Sequence, residues 1–461
     1  MYRLKQFTLF TGDLICLYAG LYAGTFLRYL HPADNQFLEL LSPMTALFLL
    51  AATIMFISGL YDANKTKNTW LFFQKIPLSA AVWMLAGIAY FYVNPEQNIA
   101  PKTILLLTTI TGFGLIAIWR FIYNKFITIK LTYKVLFAGL TDDVKELIEQ
   151  IKKEPQLGYQ IAGILLYEKD SSYTQSAAYA QSHNISVYTS TSLRDNLSQI
   201  NIVVLSPVMA ANTSLLQTLY QSLFQGISIV ELSDFYESVM HRIPPFTFSE
   251  GWFIAHLQEQ QKKIYDRIRI LSDYFLGACL GLLCTATLPF IALAIKLNSK
   301  GKIFFTQNRV GRGGAIFKVY KFRTMKSLST DGSAETNGPQ YAATADMRIT
   351  SVGKFLRLTR LDETPQFINI LKGEMSFIGP RPERPEFVAQ LTEKMPFYSL
   401  RHLIKPGLTG WAQVQKSYYG TIEENLQKLE YDLFYIKNRN FTLDVSILLR
   451  TISTILRMAG R

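Results

Sequence analysis

Cysteine is scarce in this chain: Cys16, Cys279 and Cys284 are the only three among 461 residues, and all lie in apolar stretches. A disulfide framework and a cysteine-based zinc spacing are therefore excluded, and no thiol implies an oxidising compartment. Acidic residues are also few. Asp and Glu number 34 against 47 Lys and Arg, which leaves a formal net charge of +13. Apolar residues make up 49%. A chain both basic and greasy suggests a membrane protein facing anionic lipid or an anionic substrate; charge kept for solubility is the plainer alternative. The N-terminal stretch lacks a signal-peptide cleavage pattern, and its first apolar run is too long for a signal core. At about 100–200 residues per domain, two to four units are expected.

Apolar runs near 7–27, 43–60, 76–93 and 103–123 approach the roughly 20 residues needed to cross the hydrocarbon core. Lys65, Lys67 and Lys75 lie between the second and third, Lys125, Lys130 and Lys134 follow the fourth, and Arg3 and Lys5 precede the first. Basic loops stay inside, so the N-terminus, the 61–75 loop and everything after 125 are expected in the cytoplasm. A fifth run covers about 271–295, with Lys262, Lys263, Arg267 and Arg269 before it and Lys296, Lys300 and Lys302 after it. Pro289 falls inside it, where it removes a donor and kinks a helix, and Thr287 could re-satisfy a freed carbonyl. The expectation is a re-entrant helix–break–helix that dips into one leaflet; the alternative is a kinked fifth span.

Residues 132–240 alternate apolar strands with helical stretches. Strands are expected at Tyr133–Ala138, Tyr159–Leu166, Asn184–Tyr188, Ile200–Leu205 and Gly226–Glu231, and helices at Asp142–Lys152 and Thr213–Leu223. That is a βαβ pattern and a small parallel sheet. A dinucleotide fingerprint would fall at Ala138-Gly139-Leu140-Thr141-Asp142-Asp143, which keeps one glycine and sets two carboxylates against a pyrophosphate. A degenerate scaffold or assembly domain explains this better than a cofactor site, and helix capping by aspartate better than metal chemistry.

The densest signals come last. A hairpin is expected from Lys302–Arg309 and Ile316–Lys321 around Gly311-Arg312-Gly313-Gly314, with Lys321 and Arg323 at the end of its second strand. Residues 327–345 are small and polar, as in a mobile loop. Ser351–Leu361 has helical spacing, with Arg357 and Arg360 on one face, and Pro365 can start another helix beside Asp362 and Glu363. Arg381 and Arg384 follow in a stiff Gly-Pro-Arg-Pro setting. Such a carboxylate pair can hold a metal or attack phosphorus while guanidiniums neutralise phosphate charge. Asp432 has the spacing of a solvated acid at the start of an amphipathic helix. His402 is a structural or phosphate-facing histidine, and Trp411 a core residue.

These blocks resemble the bacterial sugar transferases called polyisoprenyl-phosphate hexose-1-phosphate transferases. The resemblance covers about 262–461 through Phe304–Gly311, Lys321–Met325, Leu361–Gln366, Met375–Pro382 and Lys405–Val414. It implies the long form of the family. Four transmembrane helices (1–130), a Rossmann-like cytoplasmic domain (131–245) and an α+β catalytic domain with the re-entrant helix (246–461) are then expected. It also implies transfer of a hexose 1-phosphate from a UDP-hexose to undecaprenyl phosphate, with UMP released through an aspartyl phosphosugar, as the first membrane step of exopolysaccharide, capsule or O-antigen synthesis. By matching position, Asp362 is the nucleophile and Glu363, Lys321 and Asp432 complete the catalytic set. Arg309, Arg323, Arg357 and Arg381 contact phosphate or substrate, and Asp362 and Glu363 hold Mg²⁺. Expected partners are membrane lipid and a second copy of the chain, with no nucleic acid; the expected location is the bacterial inner membrane. Gln415-Lys416-Ser417 departs from the family's usual Asn-Gly-Arg, which bears on sugar or uridine contacts. Two other classes stay open: a membrane-tethered NAD-dependent sugar-nucleotide epimerase or oxidoreductase, and a non-catalytic assembly scaffold.

Overall fold

The computed structural model describes residues 2–30, 34–61, 68–94, 102–127, 132–167, 173–189, 199–210, 216–217, 219–220, 226–257, 262–326, 348–415 and 421–456. The chain divides into two compact units, Met1–Met240 and His241–Arg461.

In the first unit, α1 (Tyr2–Tyr29), α2 (Asp34–Ile57), α3 (Lys75–Val93) and α4 (Lys102–Ile122) each contain a stretch long and apolar enough to cross a membrane. Their inward side chains, among them Leu17, Phe48, Trp83 and Ile116, form one buried cluster. Their outward faces are apolar too, with Phe7, Leu49, Leu85 and Ile110 exposed. A helix apolar all round suits lipid better than water. Small residues let α1 and α4 touch: a Cβ on Gly20 would stand 2.4 Å from the Gly112 backbone. One charged pair is buried here. Arg120 Nε donates to Asp13 Oδ1 at 3.0 Å and its Nη2 to Oδ2, while Tyr61 Oη donates to Oδ2 at 2.7 Å. Arg120 Nη1 donates to the Leu60 carbonyl at 2.8 Å.

The same unit carries a five-stranded sheet of order β3-β2-β1-β4-β5, all parallel. Its strands are β1 (Tyr133–Ala138), β2 (Tyr159–Leu165), β3 (Val187–Tyr188), β4 (Ile202–Leu205) and β5 (Ser228–Glu231). Alternation along β1 sends Val135 and Phe137 to one face and Leu136 and Ala138 to the other, and each face has its own core. After β1, Gly139 adopts φ +92°, and a Cβ there would reach 2.5 Å from Ser206 Oγ, so packing alone calls for glycine. The helix α5 (Asp142–Lys153) is capped by Thr141, which accepts from the Val144 amide at 3.3 Å; capping was expected from an aspartate. Asp142 pairs instead with Lys145 at 2.8 Å. Much of the helix expected at 213–223 lies outside the described residues, as do 327–345 and Lys416-Ser417.

In the second unit a short helix over Glu250–His256 precedes one long helix, α6 (Lys263–Asn298), also apolar enough to cross a membrane. It runs through Pro289 without a gap, so the break expected at 287–289 is not an interruption of the helix. Thr287 Oγ1 donates to the Leu283 carbonyl at 2.8 Å, not to the carbonyl of Thr285 that Pro289 leaves without its amide. Both halves of α6 grip the same unit. Near its start, Asp273 Oδ1 accepts from the Phe377 amide at 2.7 Å, and Arg269 donates to Ser376 Oγ at 2.8 Å. At its end, Asn298 donates to Ser351 Oγ at 3.0 Å, and Arg323 binds the Ser299 carbonyl at 2.7 Å. Between them Phe275, Leu282, Phe290, Leu293 and Leu297 stay exposed.

The hairpin follows as β6 (Phe304–Val310) and β7 (Ile316–Phe322), with Phe305 opposite Lys321. Next come α7 (Ser351–Leu358), a 3₁₀ turn over Leu361–Gln366, and α8 (Phe367–Leu371). Pro365 thus sits inside the 3₁₀ turn, not at the start of a new helix as expected. The short β8 (Ser376–Ile378) pairs in parallel with β9 (Gly407–Thr409). The polar helix α9 (Ile422–Asn438) and the amphipathic α10 (Phe441–Leu456) complete the described unit.

Candidate active site

Local structure sets the acid pair. Thr350 caps α7 by accepting from the Gly353 amide at 2.9 Å. A Cβ at Gly353 would fall 2.0 Å from the Thr324 carbonyl, so this helix presses on the end of the hairpin. Arg360 ends α7 in the left-handed region, at φ +58°, and turns the chain into the tight 3₁₀ segment. That segment buries Asp362 and Glu363 together. The turn lies against α6, where glycines clear space: a Cβ at Gly281 would come within 2.9 Å of the Phe367 ring, and one at Gly277 within 3.1 Å of Ile370. Asn369 fixes the hairpin. Its Oδ1 accepts from the Tyr320 amide at 3.3 Å and its Nδ2 donates to the Lys318 carbonyl at 2.7 Å, as a neighbouring strand would. Lys321 follows directly.

The two acids have opposite surroundings. Glu363 Oε1 accepts from Lys321 Nζ at 2.7 Å and Arg381 Nη2 at 2.6 Å, and Arg360 stands 3.7 Å from Oε2. Burial alone would raise its pKa; Arg381, Lys321 and Arg360 together hold it well below the usual carboxylate range. Asp362 Oδ1 is buried with no hydrogen-bond partner among the described residues. Burial first, then the charge of Glu363, push Asp362 up to about 6, against the pull of Lys321, Arg357 and Arg360. Burial lowers Lys321, and Glu363 offsets part of that. Environments that drive two neighbouring acids apart are how a site obtains one reactive carboxylate and one fixed charge.

The structure brings Lys321, Glu363 and Arg381 into direct contact, with Arg357 and Arg360 acting on Asp362. Arg357 Nε donates to Thr324 Oγ1 at 2.9 Å. Arg309 lies one step further out. It donates to Gln307 Oε1 at 2.7 Å and the Pro382 carbonyl at 3.2 Å, beside Arg381. Arg323, expected at phosphate, is placed elsewhere. Its guanidinium donates to the Lys300 carbonyl at 2.9 Å and to Ser299, and ties off the end of α6. Asp432 is 2% exposed and sits well inside α9, contrary to the solvated acid its spacing suggested. It accepts from Arg401 at 3.1 and 2.8 Å and is apart from Asp362 and Glu363. Trp411 is a core residue, donating from Nε1 to the His241 carbonyl at 2.9 Å. Burial and then Arg401 lower His402 to about 4, so its ring is neutral.

Sequence reasoning missed Glu383, Lys428 and Asn369, and touched Arg401 only in passing. The one signal for them is the spacing of Asn425, Lys428 and Asp432 on a single face of α9, all buried.

Fold and site together describe a membrane-attached protein whose second unit holds a raised, unpaired acid inside a frame of arginines and a lysine. That is the equipment of covalent or metal-assisted phosphoryl chemistry. The chain belongs to the bacterial sugar transferases, whose family model matches residues 264–458. It is similar to the UDP-glucose:undecaprenyl-phosphate glucose-1-phosphate transferase of Klebsiella pneumoniae, 30% identical over 412 residues, covering 87% of this chain and 78% of that one. An Aeromonas hydrophila protein, UDP-N-acetylgalactosamine-undecaprenyl-phosphate N-acetylgalactosaminephosphotransferase, is 44% identical over 213 residues, 45% of this chain. The match spans about half of that relative's length, 49%. The UDP-glucose:undecaprenyl-phosphate glucose-1-phosphate transferase of Escherichia coli (strain K12) is 42% identical over 182 residues, 39% of this chain and 38% of its own.

Proposed function

We propose that this protein transfers a hexose 1-phosphate from a UDP-hexose to undecaprenyl phosphate and releases UMP. The names of its Klebsiella and Escherichia relatives carry that reaction for glucose, and the Aeromonas relative's name carries it for N-acetylgalactosamine. The reaction runs in two steps. Asp362 attacks the sugar-bearing phosphorus; a carboxylate O–P bond forms, the phosphoanhydride bond breaks, and UMP leaves with the electron pair. An oxygen of the lipid phosphate then attacks the same phosphorus, and the Asp362 O–P bond breaks. The lipid-diphosphate sugar that results starts a surface polysaccharide. One observation carries this reading: Asp362 keeps a buried, unpartnered oxygen while its neighbour Glu363 takes the hydrogen bonds of Lys321 and Arg381.

Magnesium suits these residues in a limited way. Asp362 has the unpartnered Oδ1, and the guanidinium nitrogens nearest Glu363 Oε2 are 3.5 and 3.7 Å away. The described residues contain no cluster of three or more acidic, histidine or cysteine ligands. A cation held by one or two carboxylates and by substrate phosphates is the mode magnesium accepts. Bound there, it would neutralise phosphate charge.

The topology proposed with this reaction has four spans, a cytoplasmic N-terminus, and a catalytic unit at the inner face of the cytoplasmic membrane. There α6, continuous but bent at Pro289, enters and leaves one leaflet. The re-entrant path is supported by the contacts of both halves of α6 with the same unit, through Arg269 and Asp273 on one side and Asn298 and Ser299 on the other. At ~1.5 Å per residue its 36 residues reach about 54 Å, far beyond one ~30 Å hydrocarbon core. A second copy of the chain is proposed as a partner on the resemblance alone.

The deciding experiment uses donor labelled in the sugar and no lipid acceptor. Label is expected on the polypeptide, with UMP released up to one equivalent, and adding undecaprenyl phosphate should move the label to lipid. Lipid product formed with no label ever bound to protein overturns the covalent mechanism. A UDP-sugar panel reading UMP release then identifies the hexose.

A further inference from the structure

Helix α9 turns buried polar side chains toward the segment that carries Arg381. Lys428 and Asp432, four residues apart, share one face of it. Lys428 Nζ donates to Glu383 Oε1. Asp432 Oδ2 accepts from Arg401 Nε at 3.1 Å and Nη2 at 2.8 Å. Arg401 has two further contacts, Tyr398 Oη at 2.8 Å and the Arg381 carbonyl at 2.8 Å. The next carbonyls along the chain are held as well. Arg309 donates to that of Pro382 at 3.2 Å, and the Val310 amide to that of Glu383 at 2.9 Å. Three consecutive carbonyls, of Arg381, Pro382 and Glu383, are thus fixed from outside the segment, and the side chain of the last is fixed by Lys428. From this clamp the Arg381 guanidinium extends to Glu363 Oε1 at 2.6 Å.

Resting on the proposed reaction, we infer that Asp432 and Lys428 are positioning residues: through Arg401 and Glu383 they hold Arg381 at the catalytic acids, and they touch no substrate. A guanidinium that must meet a transferring phosphoryl group loses most of its value when displaced by ~1 Å, a shift that can cost about 10²-fold in rate. Taking away Asp432 leaves Arg401 buried without its carboxylate and frees the Arg381 backbone to move. The same logic gives Lys428 its role: without it Glu383 loses its closest ion-pair partner and keeps Arg309 at 3.5 Å and the charge of Arg401.

A double-mutant cycle on the full chain in nanodiscs, reading UMP release from UDP-glucose or the best donor of the panel, tests this. Asp432→Asn is expected to lower kcat about 10–100-fold with KM changed less than about 3-fold, and Asp432→Glu to recover most of the loss. In an Arg381→Lys background the same Asp432→Asn change should cost less than about 3-fold, because the group it positions is already altered. Full additivity of the two changes would mean that Asp432 acts independently of Arg381, and overturns the inference; so does wild-type kcat in Asp432→Asn. Should Asp432→Asn fail to fold by its thermal midpoint, Arg401→Lys carries the same cycle with the same two outcomes. A wild-type protein that releases no UMP from any donor sinks the proposed reaction itself. Additivity in an active protein sinks only the positioning role.

Discussion

Among the buried carboxylates that sit close to arginine, two are put to opposite uses. In the first unit Asp13 is matched on both oxygens: Arg120 reaches each, Tyr61 adds a hydroxyl, and the remaining guanidinium nitrogen is satisfied by the Leu60 carbonyl. In the second unit Asp362 stands among comparable cations but keeps an oxygen without a partner, because Glu363 draws Lys321 and Arg381 to itself. The first cluster is closed, so it can only hold helices together. The second is open at one atom, and that atom is available for bonding to something that arrives. Burial and charge are similar in the two places; what separates structure from chemistry is whether the hydrogen-bond account closes.

The sharpest way to break this contrast is to neutralise each acid in turn. Asp362→Asn should abolish both UMP release and lipid product, a fall of at least about 10³-fold, since the neighbouring carboxylate, Glu363, is held by Lys321 and Arg381. Its thermal midpoint should be unchanged or higher, because a buried charge whose desolvation the nearby cations do not fully offset is removed. A lower midpoint together with retained transfer would reverse the assignment. Arg120→Ala should do the opposite. It leaves Asp13 buried without its cation and should cost about 3–5 kcal/mol of stability, while activity per folded molecule stays at the wild-type level. Joint replacement by Asp13→Leu and Arg120→Met should restore most of that loss, because a matched pair can be exchanged for apolar packing.

Much of the fold was legible because it depends on local pattern. The β1–β5 strands announce themselves by short apolar runs between turn residues, and the hairpin by its glycine-rich turn. The acid pair was legible because its arginines lie within some twenty residues of it. What sequence could not give is the ion pairing across long separations. Nothing local tells a solvated acid on a helix from Asp432, which meets Arg401 31 residues away, or shows that Lys428 meets Glu383 at a separation of 45. Arg323 lies away from the acid pair for a related reason. It looks like a strand partner of Lys321, but β7 stops at Phe322, and the next residue turns away to the carbonyls at the end of α6. The proline does not end the helix either. Pro289 removes one amide from α6, and the helix continues past it.

Changing pH sharpens the comparison further. The proposed nucleophile, Asp362, must be ionised to attack, and burial and the charge of Glu363 push it up to about 6, so kcat/KM should fall as pH drops through that value. Stability runs the other way for this one group. A raised folded-state pKa gives a contribution that is whole below the ordinary aspartate range, and it is lost as pH rises through about 6. Glu363 has the reverse sign: its contribution is present above the ordinary glutamate range and disappears as pH falls through its lowered value. Glu363→Gln removes the neighbouring negative charge and releases Lys321 and Arg381 toward Asp362. The acid limb of kcat/KM should therefore move to lower pH, while the rate on its plateau drops about 10–100-fold as the cationic frame loosens. A limb that stays in place would show that Glu363 does not set the ionisation of Asp362.

The smallest expected effect tests how the reactive turn is seated on α6. Gly281 faces the Phe367 ring, and a Cβ would meet it at 2.9 Å, closer than van der Waals contact permits. Gly281→Ala should then cost about 1–3 kcal/mol by overpacking, unless the ring yields. The displacement passes directly to the turn, because Phe367 follows Gln366 at its end. A fall of several-fold in kcat with little change in KM is expected, since binding groups such as Arg381 lie on another segment. Phe367→Leu in the same chain should relieve the contact and return part of the rate. The first unit supplies the control: a Cβ at Gly20 would meet the Gly112 backbone at 2.4 Å, so Gly20→Ala should lower stability and leave kcat alone. Equal loss of kcat from both substitutions would show that tight helix contact matters in general, and that Gly281 has no special bearing on the reactive acid.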